Sequence, residues 1–279
     1  RSARRFLPAV DDATLAAAIV VPTCNGKLFK LDARTGALNP AFGVNGIVDL
    51  NTPEMTHNLP GVSIGSSSPP VMFHNLIIIG GRAPESSGPG PAGDVRAFDI
   101  HTGRLVWTFH SIPQPGEPNY GTWPGDSAKF RSGVNVWGLM TVDTQRGIVY
   151  LPFGAPSGDL FGGDRPGNNL YDTSLVAVDA ATGKYLWHFQ VVHHDIYDFD
   201  LEAPPVLMDV KTGGRTIPAV AVINKASLLF LLDRTTGKPI YGVEERKVPQ
   251  SKIPLERTSP TQPFPVKPAP LARQGITRA

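Results

Sequence analysis

The chain has 279 residues, and its 26 Lys and Arg residues nearly balance its 24 Asp and Glu residues, giving a formal net charge of +2. This balance, with no block of like charge, gives no support to a nucleic-acid or membrane-surface binder. Gly (29) and Pro (28) together make up about a fifth of the sequence, which excludes a coiled coil or a helical bundle because both residues interrupt long helices.

Short apolar runs rich in β-branched residues and bounded by Gly, Pro or Asn predict strands along the chain. In order, these strands cover residues 17–21, 27–31, 71–79, 95–98, 104–108, 136–142, 148–153, 174–178, 184–190, 218–223 and 227–232. No segment keeps the 3.6-residue period of an amphipathic helix, and no run approaches the ~20 apolar residues that cross a bilayer. The sequence therefore predicts an all-β fold.

A five-residue pattern, D-x-x-T-G, recurs four times beside the predicted strands, at intervals of 54 to 80 residues. Its copies start at Asp32, Asp99, Asp179 and Asp233, and a partial copy starts at Asp143. The chemistry suits a tight turn, because Asp and Thr bond back to the backbone and Gly accepts a left-handed conformation. The pattern therefore predicts a hairpin that recurs in register.

The intervals between copies are too long for one hairpin but suit a four-stranded sheet with loop insertions. Four-stranded sheets arranged radially form a β-propeller, whereas an isolated stack of a few sheets would leave open edges and uncovered faces. Residues 1–279 are therefore expected to form about four blades of a larger ring, with both ends of the sequence cut within that ring.

Four residues after the Gly of each repeat stands an aromatic residue or a substitute: Pro40, Trp107, Trp187 and Tyr241. A large rigid ring is well suited to fill the wedge between neighbouring sheets. We therefore predict that the tryptophans pack blade against blade and do not bind a ligand.

The two complete units, residues 97–107 and 177–187, share the pattern A-x-D-x-x-T-G-x-x-x-W. This unit resembles the tryptophan-docking motif of the pyrroloquinoline quinone (PQQ) dependent dehydrogenases, which are eight-bladed quinoproteins. The resemblance extends to GDVRAFD at 93–99, TW at 122–123, WHFQ at 187–190 and HHDIYD at 193–198. It is greatest with the membrane-bound glucose, quinate and polyol branch, and it covers roughly half of such a ring.

This resemblance implies a partial eight-bladed propeller that binds PQQ and oxidises a hydroxyl group of a sugar, polyol or alcohol. The implied location is the periplasm, and the implied electron acceptor is a membrane quinone or a cytochrome. The remaining blades would come from the rest of a longer chain. The family's disulfide between adjacent cysteines is missing, since Cys24 is the single cysteine.

Six His, Asp and Glu residues lie within residues 193–202, directly after a predicted strand. Taken alone, such a cluster is compatible with a metal site, an acid–base site or a solvated loop. The segment resembles the family's H-D-x-W-D stretch, and the resemblance makes Asp198 the catalytic base. A carboxylate there would take the hydroxyl proton while hydride leaves the carbon for the quinone. Asp195 and its two neighbouring histidines are interpreted as groups that shape the loop.

Lys225 interrupts an apolar strand, where a merely buried ammonium would be costly. Either it lies in a bend between two strands or, as the resemblance implies, it approaches the ortho-quinone oxygens of PQQ and stabilises the charge that develops on reduction. Trp137 either packs in the core or, as the resemblance implies, forms the floor under the flat cofactor. Gly138 would then allow close approach.

Glu85 lies on a loop rich in Gly, Pro and Ser. It is either a surface glutamate or, by family position, a ligand of a divalent ion, Ca²⁺ or a similar cation, that would act as a Lewis acid on the quinone. The resemblance also implies Asp198 as a metal ligand and Arg82 as a cofactor-binding residue. Ala155 departs from the family, because many relatives have a metal-binding Asn there. Either Asp159, another loop oxygen or a water substitutes, or the affinity for the metal is lower.

Ala155 also supports a different class of function: a non-catalytic propeller that serves as a binding or assembly scaffold and has lost the cofactor. The coexistence of Trp137, Asp198 and Lys225 favours the enzyme, because a scaffold has no need of all three. The sequence does not distinguish glucose, quinate, another polyol or a simple alcohol as the substrate.

Overall fold

The computed structural model describes residues 5–6, 17–84, 90–129 and 131–275. These residues form seventeen strands and one 3-10 helix of a single turn, Tyr120–Thr122. Within the same residues, no helix has the length and apolar character needed to span a membrane. The prediction of an all-β fold is confirmed.

The strands form five antiparallel sheets in chain order, and each sheet is a meander in which sequence neighbours are hydrogen-bonded. The first sheet contains β1 (Arg5–Phe6), β2 (Ala18–Pro22), β3 (Lys27–Asp32) and β4 (Ile47–Asp49). The second contains β5 (Val71–Phe73), β6 (Leu76–Ile79), β7 (Val95–Asp99) and β8 (Leu105–Phe109). The third contains β9 (Thr141–Asp143), β10 (Ile148–Pro152), β11 (Ser174–Asp179) and β12 (Tyr185–Gln190). The fourth contains β13 (Val206–Thr212), β14 (Arg215–Ile223) and β15 (Leu229–Asp233), and the fifth contains β16 (Val243–Lys247) and β17 (Thr261–Pro265).

The hydrophobic cores lie between consecutive sheets. They join Leu28 of the first sheet to Phe98 of the second, Trp107 of the second to Val149 of the third, and Trp187 of the third to Phe230 of the fourth. Full burial of a Leu or Phe side chain stabilises the fold by about 1.5–3 kcal/mol. Repeated burial between successive sheets produces the blade packing that is typical of a propeller.

The D-x-x-T-G segments form turns of the predicted kind. In the second copy, Asp99 Oδ1 accepts hydrogen bonds from His101 N (3.0 Å), Thr102 N (2.8 Å) and Thr102 Oγ1 (2.8 Å). Gly103 N then donates to Asp99 O at 2.8 Å. The glycines of the four copies have φ between +72° and +74°, a conformation that is strained for other residues.

Trp107 of the second sheet and Trp187 of the third sheet each pack on the repeat glycine of the sheet that follows. A Cβ atom on Gly183 would lie 2.7 Å from Trp107 Cδ2, and one on Gly237 would lie 2.5 Å from Trp187 Cε3. Each glycine therefore provides both the turn conformation and the space for an indole ring. The predicted packing of tryptophans between blades is what the structure shows.

Pro40 does not occupy the corresponding position between the first and second sheets. It is exposed, whereas Phe42 is fully buried. A Cβ atom on Gly103 would lie 2.6 Å from Val48 Cγ2 and 3.3 Å from Phe42 Cδ2. In this copy, the residue four positions after the repeat glycine does not pack between the sheets, because residues 40–46 form turns before β4 begins.

The strand boundaries differ from the predicted ones at several places. The predicted strand 71–79 is two strands, because His74 and Asn75 form a turn in which His74 has a φ of +48°. The predicted strand 136–142 starts at Thr141, since the preceding residues belong to a loop. The sequence patterns do not predict β13 and β16, whose side chains are mostly exposed. They also do not predict β17, which lies in a Pro-rich segment.

Candidate functional site

A cavity of about 290 Å³ lies where loops of three successive sheets converge. Arg82 follows β6, Ala155 follows β10 and Lys225 follows β14, and each residue lies two or three positions beyond the end of its strand. These strands are the second strands of their sheets. Blade packing therefore brings together residues that are 70 or more positions apart in the sequence.

The acidic loop after β12 brings two carboxylates to the ammonium group of Lys225. Lys225 Nζ lies 2.6 Å from Asp198 Oδ2 and 2.9 Å from Asp200 Oδ2. The two loops are also tied through the main chain, because Lys225 N donates to Asp200 O at 3.2 Å. Two carboxylates therefore contact one ammonium group at the cavity wall.

Asp198 is the more open of these two carboxylates, with 38% of its side chain exposed against 7% for Asp200. Partial burial raises the pKa of Asp198 to about 6, and this effect exceeds the opposing influence of the hydrogen bond from Lys225. The nearby negative charge of Asp200 acts in the same direction as burial. A carboxyl group with a pKa closer to neutrality is better matched to proton transfer at physiological pH.

Lys225 carries its charge at neutral pH. Burial lowers the pKa of Lys225, but its hydrogen bonds to Asp198 and Asp200 outweigh this effect and hold the pKa above its ordinary value. Its Nζ atom lies 5.4 Å from the ring centroid of Trp137. The cation and the indole therefore occupy the same part of the cavity.

Trp137 is 36% exposed, and it lines the cavity. Its Nε1 atom donates to Asp200 Oδ2 at 3.1 Å, which fixes the orientation of the ring. A partly exposed indole that is held in place offers a flat apolar surface to a planar ligand. Gly138 serves a different purpose from the expected approach of a cofactor, because a Cβ atom there would collide with the carbonyl oxygen of Glu202.

Asp200 is the site residue that the sequence patterns do not single out. Its Oδ1 accepts a hydrogen bond from Ala155 N at 2.6 Å, while Oδ2 accepts from Trp137 and Lys225. The one sequence feature that points to Asp200 is its position as an acid two residues after Asp198. Spacing alone does not show which of the neighbouring acids turns inward.

Asp195 and the two histidines beside it are not among the residues that line the cavity. Asp195 is buried and accepts hydrogen bonds from Tyr197 N at 2.9 Å and from Phe199 N at 2.7 Å. Burial raises the pKa of Asp195. His194 is also buried, with Nδ1 against a neighbouring loop. These contacts fix the backbone on both sides of Asp198.

Arg82 is exposed and lines the same cavity as Lys225, so two cationic side chains face it. Asp159 also lines the cavity. Glu85 belongs to residues 85–89, which lie outside the described part of the chain. The predicted cofactor residues Arg82, Trp137 and Lys225 are thus brought together with the predicted base, Asp198.

The described residues fit an anionic planar cofactor better than they fit a calcium ion. The cations and the indole suit a flat ring with carboxylate and carbonyl oxygens. Within residues 17–84, 90–129 and 131–275, no three His, Cys, Asp or Glu side chains form a group that could hold a metal. Asp198 is paired with Lys225, and Ala155 offers no side-chain oxygen. Ca²⁺ takes about 6–8 oxygen ligands.

Comparisons with known proteins agree with this fold. The chain is 38% identical over 257 residues to quinate/shikimate dehydrogenase (quinone) of Acinetobacter baylyi, covering 91% of this chain and 31% of the relative. It is 37% identical over 252 residues to quinoprotein glucose dehydrogenase of Gluconobacter oxydans, covering 88% and 30%. The crystal structure of quinohemoprotein alcohol dehydrogenase from Comamonas testosteroni has a TM-score of 0.68 at 28% identity, covering 90% of this chain and 37% of that one.

Successive antiparallel sheets that pack face to face, with a cavity built from their loops, define a β-propeller of the quinoprotein alcohol dehydrogenase type. The sequence profile described as "PQQ: Glucose/ethanol/alcohol dehydrogenase, beta-propeller domain" matches residues 4–279. The chain belongs to this family. It spans about a third of the length of the curated relatives named above.

Proposed function

We propose that this chain forms part of a PQQ-dependent dehydrogenase that oxidises a hydroxyl group of a sugar, polyol or alcohol. The observation that carries the proposal is the contact of 2.6 Å between Asp198 and Lys225 beside the exposed part of Trp137 in one cavity. Relatives named as quinate/shikimate, glucose and glycerol dehydrogenases support this substrate class.

Three residues are proposed to hold the cofactor in the cavity. Trp137 would contact its flat ring, and Arg82 and Lys225 would face its anionic and carbonyl oxygens. PQQ bound there supplies the acceptor for the two electrons that leave the substrate carbon. Lys225 Nζ has three hydrogens, and its bonds to the two carboxylates use two of them. The third is available to a ligand oxygen.

Asp198 is proposed to take the proton of the substrate hydroxyl. It lines the cavity, its side chain is partly open, and its pKa of about 6 leaves it mostly ionised at neutral pH. Asp200 is less suited to this step, because both of its oxygens already accept hydrogen bonds within the protein. The neighbouring ammonium of Lys225 stabilises negative charge on the ligand side of the cavity.

A divalent ion held by Glu85 and Asp198 stays a prediction from the sequence, and no step of the proposed reaction depends on it. Transfer of the electrons to a membrane quinone or a cytochrome, and operation in the periplasm, are part of the same proposal. The remaining blades of the propeller are proposed to come from further chain, in line with the partial coverage of the relatives.

The test is reconstitution of the full-length apoprotein with PQQ and Ca²⁺. We expect a quinone absorption band and reduction of an artificial dye with at least one member of a panel of glucose, quinate, glycerol and ethanol. PQQ binding without turnover on any substrate would contradict the catalytic proposal. The absence of both binding and turnover would favour the non-catalytic scaffold.

A further inference from the structure

Asp200 joins three segments of the site that are distant in the sequence. Its side chain accepts hydrogen bonds from Trp137 Nε1 at 3.1 Å, Lys225 Nζ at 2.9 Å and Ala155 N at 2.6 Å. These donors lie on the loop before β9, the loop after β14 and the loop after β10. One buried carboxylate therefore fixes the indole, the ammonium and the backbone between them.

The space for this carboxylate depends on a glycine. A Cβ atom on Gly154 would lie 2.7 Å from Asp200 Oδ1 and 3.1 Å from Trp137 Nε1. A side chain at position 154 would therefore push both groups away. The missing Cβ lets the carboxylate reach the main chain of Ala155 while it holds the indole.

The two acids that contact Lys225 differ in their surroundings. Asp198 is partly exposed and lines the open cavity, whereas Asp200 is 93% buried by its side chain, with 7% exposed, and has both oxygens engaged. Lys225 therefore has one carboxylate partner that is open to the cavity and one that the protein holds in place through Ala155 N and Trp137 Nε1.

We propose that Asp200 is the positioning residue of the site, which orients Trp137 and Lys225 toward the cofactor. This inference rests on the proposed function, because it assigns Asp200 an effect on PQQ binding through two other residues. Asp200 lines the same cavity with only 7% of its side chain exposed, and both of its oxygens already accept hydrogen bonds within the protein.

The experiment is a mutant cycle on the full-length apoprotein, with the PQQ dissociation constant measured from quenching of tryptophan fluorescence. Asp200→Asn keeps the size of the side chain but removes the negative charge. We expect the dissociation constant to rise about 10- to 100-fold, since loss of a buried charge-assisted hydrogen bond typically costs about 1.5–3 kcal/mol. In a Trp137→Phe/Lys225→Met background, the same substitution should change it less than about threefold, because the groups through which it acts are gone.

Asp143→Asn is the matched control, because Asp143 is also a buried carboxylate with basic partners, Arg146 and Arg234. It lies at the end of β9, paired with the first residue of β10, whereas Ala155 follows the other end of β10. We expect Asp143→Asn to lower the melting temperature and to leave PQQ affinity unchanged. A melting curve of Asp200→Asn shows whether that variant is folded, and Asp200→Glu, which restores the charge, should recover part of the affinity.

The outcomes separate this inference from the proposed function. If the wild-type protein does not bind PQQ, the proposed function itself fails. If the wild type binds PQQ but folded Asp200→Asn binds it equally well, Asp200 is not a positioning residue. Equal losses in the wild-type and double-mutant backgrounds would also overturn the inference, because Asp200 would then act independently of Trp137 and Lys225.

Discussion

The ammonium group of Lys30 donates a hydrogen bond of 2.7 Å to the main-chain carbonyl of Ile100 across the interface between the first and second sheets. Ile100 directly follows the Asp of the second D-x-x-T-G copy. Lys30 is 3% exposed, and burial lowers its pKa despite the opposing charge of Asp99. The buried Lys30 of the first sheet thus provides the hydrogen bond for the Ile100 carbonyl, which the turn of the second sheet directs toward the first.

The equivalent carbonyls of the next two interfaces have different donors. Trp107 Nε1 donates to Ala180 O at 3.2 Å, and the hydroxyl of Tyr150 donates to Arg234 O at 2.8 Å. Within the described residues, Trp187 Nε1 is left without a hydrogen-bond partner. The turn repeats, but the side chain that donates a hydrogen bond to the carbonyl of the residue after the turn Asp changes from blade to blade.

This difference predicts unequal effects of replacing the two docking tryptophans. Trp107→Phe removes an indole N–H that is bonded to Ala180 O, whereas Trp187→Phe removes one that is buried and unpaired. We expect the first variant to lose about 1–2 kcal/mol more unfolding free energy than the second. Urea unfolding of both variants measures the difference, and equal losses would contradict the assignment of donors.

The glycines of the D-x-x-T-G turns provide a second prediction on stability. Gly36→Ala and Gly183→Ala place a Cβ atom at almost the same φ, +74° and +72°. Nothing lies within 4 Å of that atom at Gly36, whereas at Gly183 it would meet Trp107. Both variants bear the cost of the turn conformation, but Gly183→Ala also overpacks the interface, which typically costs about 1–3 kcal/mol more. Thermal unfolding of both variants measures this difference in stability. Because the two positions have almost the same φ, the backbone cost cancels in the comparison.

The proposed base predicts both a mutant effect and a pH effect. Asp198→Asn should abolish turnover and leave PQQ binding measurable, because the carboxamide keeps the shape but accepts no proton. Since the pKa of Asp198 is raised to about 6 and the ionised form is required, kcat/KM should fall as the pH drops below about 6. Steady-state assays at a series of pH values measure this acidic decrease in kcat/KM. Undiminished kcat in the variant would remove Asp198 from the proposed function.

The position of Trp137 predicts that removing its aromatic ring weakens cofactor binding. Trp137→Ala should raise the PQQ dissociation constant by about tenfold or more, because stacking on an aromatic surface contributes roughly 1–3 kcal/mol. Trp137→Phe should retain part of the affinity, although it loses the hydrogen bond to Asp200. Fluorescence or calorimetric titration gives both constants, and an unchanged value for the Ala variant would exclude contact with the cofactor.

Asp172 predicts a pH dependence of stability. Its side chain and that of Arg165 are both fully buried, and burial raises the pKa of Asp172 well above 3.8 despite the opposing charge of Arg165. The folded protein therefore binds this proton more tightly than the unfolded chain, and the associated stability is lost as the pH rises through the folded-state pKa. Relative to the wild type, Asp172→Asn should thus become more stable with rising pH.

Asp99 is the control for that experiment, because its effect on stability should change with pH in the opposite direction. Burial would raise the pKa of Asp99, but hydrogen bonds, chiefly from Thr102, outweigh it and lower the pKa. The stability from Asp99 is present above its unfolded pKa and is lost as the pH falls. Relative to the wild type, Asp99→Asn should therefore become less stable as the pH rises. Chemical unfolding from pH 3 to pH 8 compares the variants, and parallel slopes would contradict both assignments.

Local signals were sufficient to predict the repeated turns and the docking of Trp107 and Trp187. A turn of five residues is determined by its own Asp, Thr and Gly, and an aromatic residue at fixed spacing follows the strand that leaves the turn. The same local logic failed at Pro40, where extra turns precede β4, and at β13, whose exposed side chains show no apolar run. Edge strands are paired by the sheet and need little apolar character of their own.

By itself, the sequence determined an all-β repeat protein and the residues that resemble a quinoprotein site, namely Asp198, Lys225 and Trp137. Only the tertiary structure decided that Asp200 is buried among Ala155, Trp137 and Lys225, while Asp198 is the more exposed of the two acids that line the cavity. The physical reason is that blade packing, not spacing along the chain, sets which loops meet and how much water each carboxylate retains. Two acids separated by one residue therefore have different surroundings, and this difference is absent from the sequence pattern.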